Sequence, residues 1–229
     1  MSAGAPAVWL LSGGLDSTVA LALSVPRGPP ALALTIDYGQ RAARREVERA
    51  GRIAAHYRVE HRVVELPFFR TFPAGALLDP SVALPRPEES SLARGGAAME
   101  ESAARVWVPN RNGVFVEVAA AFAEALGVNR VIVGFNREEA ATFPDNSIEY
   151  LAAMNSALRY STRGRVRLES PTASLDKVEI VRAADAHHVP LDLVWPCYEG
   201  GESPCGSCES CRRFRRAVAL ARARVSFEG

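Results

Sequence analysis

The chain has 229 residues, 48% of them hydrophobic and 23% charged, with 27 basic residues against 26 acidic ones. That composition excludes a disordered chain, and a formal charge of +1 excludes the broad basic footprint of a dedicated nucleic-acid binder. No run approaches the roughly 18 apolar residues that a membrane-spanning helix needs.

Taken in chain order, Val8–Leu11 is a short apolar strand that runs into Ser-Gly-Gly, and Leu15–Ser24 reads as a helix. Before them the N-terminus has neither the basic start nor the long apolar core of a secretory signal, so a cytoplasmic protein is expected. Ala31–Ile36 is a second apolar strand, Arg44–Tyr57 a charged helix with one apolar face, and Arg62–Leu66 a third strand. Continuous apolar strands alternating with helices predict an α/β fold with a parallel sheet covered on both faces. The stretch Pro67–Arg105 breaks this pattern with five prolines, Ser90-Ser91 and Gly95-Gly96, and predicts a lid or a disordered loop. Regular structure resumes as helix Val114–Leu126, strand Arg130–Gly134, helix Ile148–Tyr160, strand Arg165–Glu169 and helix Asp176–Ala186. Asp176 and Glu179 have the spacing of a capping box. A basic helix over Arg212–Arg224 follows a cysteine-rich segment.

The sharpest motif is Leu11-Ser12-Gly13-Gly14-Leu15-Asp16-Ser17-Thr18, between a strand and a helix. Glycines let backbone amides approach a phosphate, small hydroxyls add donors, and the helix start supplies free N–H groups and a positive dipole end. The motif lacks the lysine and the spacing of a Walker loop. SGGLDS resembles the PP-loop of the ATP pyrophosphatases, a family built on an adenine-nucleotide-hydrolase-like, Rossmann-like sheet. Its members cleave ATP between the α and β phosphates, transfer AMP to a substrate oxygen and release pyrophosphate. The resemblance implies that Ser12, Gly13, Gly14, Asp16 and Ser17 hold the pyrophosphate half of ATP together with Mg2+, with Leu11, Leu15 and Thr18 completing the loop.

Further segments narrow the branch. Thr35-Ile36-Asp37-Tyr38-Gly39-Gln40-Arg41, Val108-Pro109-Asn110-Arg111-Asn112, Phe143-Pro144-Asp145, Asp176–Val181 and the cysteine segment stand in the order found in the 7-cyano-7-deazaguanine synthase family. That resemblance covers residues 8 to about 216. It implies a carbon–nitrogen ligase that acts on 7-carboxy-7-deazaguanine, ammonia and ATP in queuosine biosynthesis, as a homodimer with no direct nucleic-acid contact. It also implies a PP-loop domain over residues 1–190 and a small helical zinc-binding appendage over 191–229.

Residue chemistry supports several roles. Asp37 and Tyr38 follow the carboxyl end of a strand, where parallel sheets bind ligands, and are assigned to ATP. Arg111 and Asn112 precede a helix and suit phosphate or substrate. The Asp145 carboxylate suits a guanine-like edge, from which it would accept both N1–H and the 2-amino group. The family usually has Cys after this Asp; Asn146 stands there instead, which argues against an essential thiol. Lys177 is the one lysine in a chain otherwise converted to Arg, and it begins a helix, where a cation opposes the dipole. A functional ammonium explains both facts, so Lys177, with Asp16 and Arg111, is assigned to catalysis.

Cys197, Cys205, Cys208 and Cys211 have the spacing C-x7-C-x2-C-x2-C. In a reducing compartment such a cluster points to a metal, and four thiolates fit one structural Zn2+ per chain. An iron–sulfur cluster is the rival, which the synthase resemblance does not favour. His56, His61, His187 and His188 have no partner at metal spacing. Arg212, Arg213, Arg215 and Arg216 would suit an acidic partner or RNA, or form a solvated helix face. Two alternative functions remain at this stage: a PP-loop enzyme that thiolates tRNA or adds lysine to it, and a zinc-ribbon module that binds nucleotide without chemistry.

Overall fold

Alternate side chains of the first strand belong to different cores. In a computed structural model, which describes residues 4–72, 75–88, 92 and 96–222, β1 (Ala7–Leu10) sends Val8 to one face and Ala7 and Trp9 to the other. β2 (Pro30–Asp37) divides in the same way, with Leu32, Leu34 and Ile36 opposite Ala33. β3 (His61–Glu65), β4 (Arg130–Ile132) and β5 (Arg167–Glu169) complete a five-stranded sheet. Its order is β3-β2-β1-β4-β5, and every pairing is parallel. Strands buried on both faces need no hydrophobic–polar alternation, which is why they read as continuous apolar runs.

Helices cover both faces, as expected. α1 (Leu15–Ser24) and α2 (Ala43–His56) lie over Ala7, Trp9 and Ala33. A third helix, α3 (Ala97–Val106), precedes α4 (Arg111–Ala125), whose Val116, Ala119, Ala120 and Ala123 pack on the opposite face. The short α5 (Arg137–Ala140) leads to α6 (Ile148–Ser161), whose Leu158 joins α4. α7 (Lys177–Ala186) and α8 (Glu209–Ala221) return to the α1 side through Ile180, Val181, Phe214 and Ala217. Cys197, Cys208 and Cys211 pack into the other core, so the segment after residue 190 contributes to both faces.

The sheet reverses its winding between β1 and β4, and ligands bind parallel sheets at that crevice, outside the carboxyl ends of the strands. The loops after β1 and β4 open there. β5 begins two residues later than the sequence pattern predicts, because Arg165 donates its N–H to the Thr162 carbonyl in a turn. α4 starts at Arg111, which places that residue on the helix rather than before it.

Parts of the proline-rich stretch are built into the fold. Pro67–Thr71 is a 3-10 turn, Phe69 is fully buried, and Leu77, Leu84, Met99 and Ala103 are buried as well. α3 replaces the loop predicted for residues 97–105. Pro73, Ser90, Ser91 and Gly95, and the expected helix end at Arg224, lie outside the described residues. Among the described residues, no helix is long and apolar enough to cross a membrane.

Candidate active site

The Ser-Gly-Gly loop is organised by its own hydroxyls. Ser12 Oγ lies 3.0 Å from Ser17 Oγ and accepts the Gly14 N–H, while Thr18 Oγ1 donates to the Gly14 carbonyl at 2.7 Å. Gly13 has φ +78°, and a Cβ there would stand 2.7 Å from the Glu46 carbonyl oxygen, so α2 packs directly on the loop. The Gly13 carbonyl accepts the Trp195 N–H at 2.8 Å, which ties the loop to the approach of the cysteine segment. From the other side, Gly134, two residues past the end of β4, brings its backbone against the start of α1. A Cβ on Gly134 would sit 2.5 Å from Ser17 N. The N-terminal turn of α1 is thereby clamped with free N–H groups at the mouth of the crevice.

Two cavities of about 230 and 180 Å3 open at this point. Both are lined by Ser12, Gly14, Asp16, Glu46, Arg111, Glu139 and Asn146, so they are halves of one cleft. Leu11, Ser17 and Tyr38 line the first half; Leu15, Lys177 and Tyr198 line the second. Gly13 supports the loop from behind, and Thr18 is fully buried. Asp37 faces neither half; its Oδ1 accepts the Gly39 N–H at 2.9 Å and shapes the turn after β2.

Charge is concentrated along the cleft floor. The Lys177 ammonium donates to Asp16 Oδ2 and, at 2.6 Å, to Glu139 Oε1. The placement of a cation at the start of α7 is therefore offset by two carboxylates, and the predicted Asp176–Glu179 capping box is present. Burial, with Glu139 and Glu138 nearby, pushes the Asp16 carboxyl up to about 6 although Lys177 pulls it down. Burial also raises Glu139, but Lys177, Arg213 and Arg111 outweigh it and hold that carboxyl below the usual range. Burial disfavours the Lys177 ammonium, yet Asp16 and Glu139 more than compensate and keep it protonated. Asp16 Oδ1 is buried with no hydrogen-bond partner.

At the opposite wall, Arg111 lies over the Tyr38 ring at 5.7 Å and donates to its hydroxyl at 3.3 Å. Asn112 Nδ2 reaches the Asp145 carbonyl at 3.5 Å, and Asn146 Nδ2 donates to Asp145 Oδ1 at 3.1 Å. Burial raises the Asp145 carboxyl, with Arg111 opposing. Arg111, Asn112 and Asp145 are thus brought together, and Asn146 rather than Asp145 lines both halves.

The four cysteine Sγ atoms lie within 4.8 Å of one another, with Cys197 and Cys208 at 3.9 Å. Backbone N–H groups of Glu199, Cys205 and Cys208 donate to Cys197 and Cys205 sulfurs at 3.3 Å. This group could hold a metal ion, and it adjoins the cleft through Cys197 and Tyr198.

Sequence reasoning missed Glu46, Glu139, Tyr198 and Glu209, and placed Arg213 in a basic cluster for an acidic partner, RNA or solvent rather than at the cleft. Glu139 carried a usable signal, since it follows the carboxyl end of a strand in RVIVGFNREE. The others are ordinary helix or loop residues until the fold assembles them. Arg212 and Arg213 are not free for RNA: Arg212 Nη1 donates to the Pro87 carbonyl at 2.6 Å, and Arg213 pairs with Glu138 and Glu209.

A glycine-rich loop at the reversal of a parallel α/β sheet, beside a buried acid pair and its lysine, is an arrangement that suits an ATP-using enzyme. The chain belongs to the family described as "Queuosine biosynthesis protein QueC", which matches residues 6–223. It is 53% identical to the 7-cyano-7-deazaguanine synthase of Pelotomaculum thermopropionicum, over 93% of this chain and 96% of that protein. The synthases of Desulforudis audaxviator and Bdellovibrio bacteriovorus are 53% and 49% identical, covering 91% and 93% of the chain and 94% and 93% of those proteins.

Proposed function

We infer that the chain is an ATP-dependent ligase that converts 7-carboxy-7-deazaguanine and ammonia to 7-cyano-7-deazaguanine. The observation that carries this reading is the convergence of the Ser12–Ser17 loop, the Asp16–Lys177–Glu139 group and the Arg111, Asn112 and Asn146 side chains on one cleft, with Asp145 hydrogen-bonded to Asn146 beside it. The family and the names of the relatives support it.

In this reading the substrate carboxylate attacks the α-phosphorus of ATP and pyrophosphate leaves against the loop N–H groups and Ser12 and Ser17. Ammonia then attacks the acyl carbon, loses a proton, and displaces AMP to give the amide. The amide oxygen attacks a second ATP in the same way; loss of AMP and two N–H protons leaves the nitrile. The chain's part is positioning and charge stabilisation, with no side chain acting as a nucleophile. Arg111 and Lys177 offset phosphate charge, and Asp145 orients the deazaguanine edge. Mg2+ accompanies the ATP, and the unpartnered Asp16 Oδ1 together with Glu139 suits it, since hard divalent cations take carboxylate oxygens; when bound it neutralises charge on the departing phosphates.

The cysteine group suits one Zn2+. A tetrahedral ion at the usual Zn–S distance needs sulfurs about 3.8 Å apart, close to the 3.9 Å between Cys197 and Cys208. An iron–sulfur cube spreads its thiolates farther. Direct tRNA docking loses support because Arg212 and Arg213 are engaged internally. The test is pyrophosphate release by the zinc-replete chain. Release is expected with 7-carboxy-7-deazaguanine plus ammonium, and not with tRNA plus a sulfur donor or with ATP alone; the opposite pattern overturns the reading.

A further inference from the structure

The first turn of α8 connects regions that are otherwise separate. Cys208 caps this helix and Cys211 lies within it, so the helix begins inside the cysteine group. Glu209, 3% exposed, accepts from Ser102 of α3 and from Arg213 Nε at 2.8 Å, and its backbone N–H donates to the Pro85 carbonyl at 3.2 Å. The other arm of the Arg213 guanidinium pairs with Glu138 of α5. Glu138 in turn accepts the Lys177 backbone N–H at 3.3 Å, and its neighbour Glu139 holds the Lys177 ammonium beside Asp16. From Glu209, next to Cys208 in the chain, ion pairs and hydrogen bonds thus run through Arg213 and Glu138 to Lys177, whose ammonium holds Asp16 of the nucleotide loop.

We propose that Arg213 is a positioning residue that couples metal at Cys197, Cys205, Cys208 and Cys211 to nucleotide at the Ser12–Ser17 loop, so that each tightens the other. This rests on the reading that the loop binds ATP and the cysteines bind Zn2+. With metal bound, the start of α8 is fixed and Arg213 neutralises Glu138. Without metal, the turn that carries Arg213 loses its anchor. Glu138 then stands as an uncompensated carboxylate beside Lys177, where it draws on the charge that Asp16, Glu139 and an anionic nucleotide also need. Both effects weaken nucleotide binding, and linkage requires the same factor to appear in metal affinity. Arg suits this role because its planar fork serves Glu138 and Glu209 at once, which a single ammonium on a flexible stem does less well.

The experiment measures reciprocity in the intact chain. Zn2+ affinity is determined by chelator competition with and without Mg2+ and α,β-methylene-ATP, and the affinity for that analogue is determined before and after zinc removal. We expect the same factor, at least about five-fold, in both directions. Arg213→Gln is expected to bring the factor close to one while zinc stoichiometry and circular dichroism persist. Arg213→Lys, which keeps the charge, is expected to retain part of it. If both ligands bind with no mutual effect, or if Arg213→Gln leaves the factor unchanged in a folded chain, the coupling is overturned while the proposed function stands. Failure of the wild-type chain to bind either ligand overturns both.

Discussion

Lys177→Arg separates charge from geometry at the centre of the site. The wild-type ammonium is shared between Asp16 Oδ2 and Glu139 Oε1, and its side chain is only 11% exposed. Arginine keeps the positive charge but places a wider planar fork farther from the backbone, where a compact point charge now fits between two carboxylates. At least one charge-assisted hydrogen bond is forfeited, at about 1.5–3 kcal/mol. If that loss falls on the transition state, kcat/KM drops roughly 10- to 150-fold. Folding is expected to survive, because neither Asp16 nor Glu139 is left without a countercharge. Lys177→Met, by contrast, removes that countercharge and is expected to cost about 3–5 kcal/mol of stability. The assay is pyrophosphate release across a range of substrate concentrations, which yields kcat/KM, with zinc content and urea unfolding measured on the same samples. Turnover of the arginine variant within about two-fold of wild type would refute the reasoning and make the single lysine a coincidence of composition.

Other outcomes follow from the same geometry. Gly134→Ala pushes a Cβ to 2.5 Å from Ser17 N, so it should displace the start of α1 and abolish nucleotide binding in calorimetry while the chain stays folded. Asp16 has its folded pKa raised to about 6, above the unfolded value, so its contribution to stability is fully present below about pH 4 and is lost as pH rises through 6. Ligation of Mg2+ needs the ionised form, so affinity for the Mg2+–nucleotide complex should rise through about pH 6, and Asp16→Asn should remove that rise. Arg130 makes a two-pronged pair with Glu169 at 3.1 Å on both arms and donates to the Ala5 and Arg27 carbonyls. Arg130→Met leaves Glu169 only its 3.3 Å pair with the exposed Arg27 and strips the Ala5 and Arg27 carbonyls of their donor, so it should cost about 1–3 kcal/mol in urea unfolding.

The elements that the sequence made legible are those governed by local rules. The apolar strands around Val8, Leu32 and Val131, the Gly-rich turn into α1 and the Asp176 cap all depend on neighbours within a few residues. The cysteine group was readable because four thiols at that spacing have few other uses. What was hidden is nonlocal. α3 has the sequence AAMEESAARV, whose buried Met99, Ala103 and Val106 stand at helical spacing, but the prolines, Ser90-Ser91 and Gly95-Gly96 before it mask that short pattern. Of the prolines that suggest a loose loop, Pro67 opens a 3-10 turn where no N–H donor is needed, while Phe69, Leu77 and Leu84 anchor the chain by burial. Glu46 and Arg213 come to the cleft from helices about 170 residues apart, and no local pattern marks them. Lys177 is marked by composition and by its place at a helix start, but its two carboxylate partners lie 161 and 38 residues away and emerge only from the fold.

The most direct test of the central claim follows the oxygen atoms. In this account both oxygens of the substrate carboxylate leave as phosphate oxygens of AMP, one at each adenylation. With 7-carboxy-7-deazaguanine labelled with 18O in its carboxylate, ammonium and ATP, mass spectrometry should find two AMP per nitrile formed, each carrying one label, and no label in pyrophosphate. Unlabelled AMP, or label released to water or to inorganic phosphate, would contradict the adenylation chemistry assigned to this cleft.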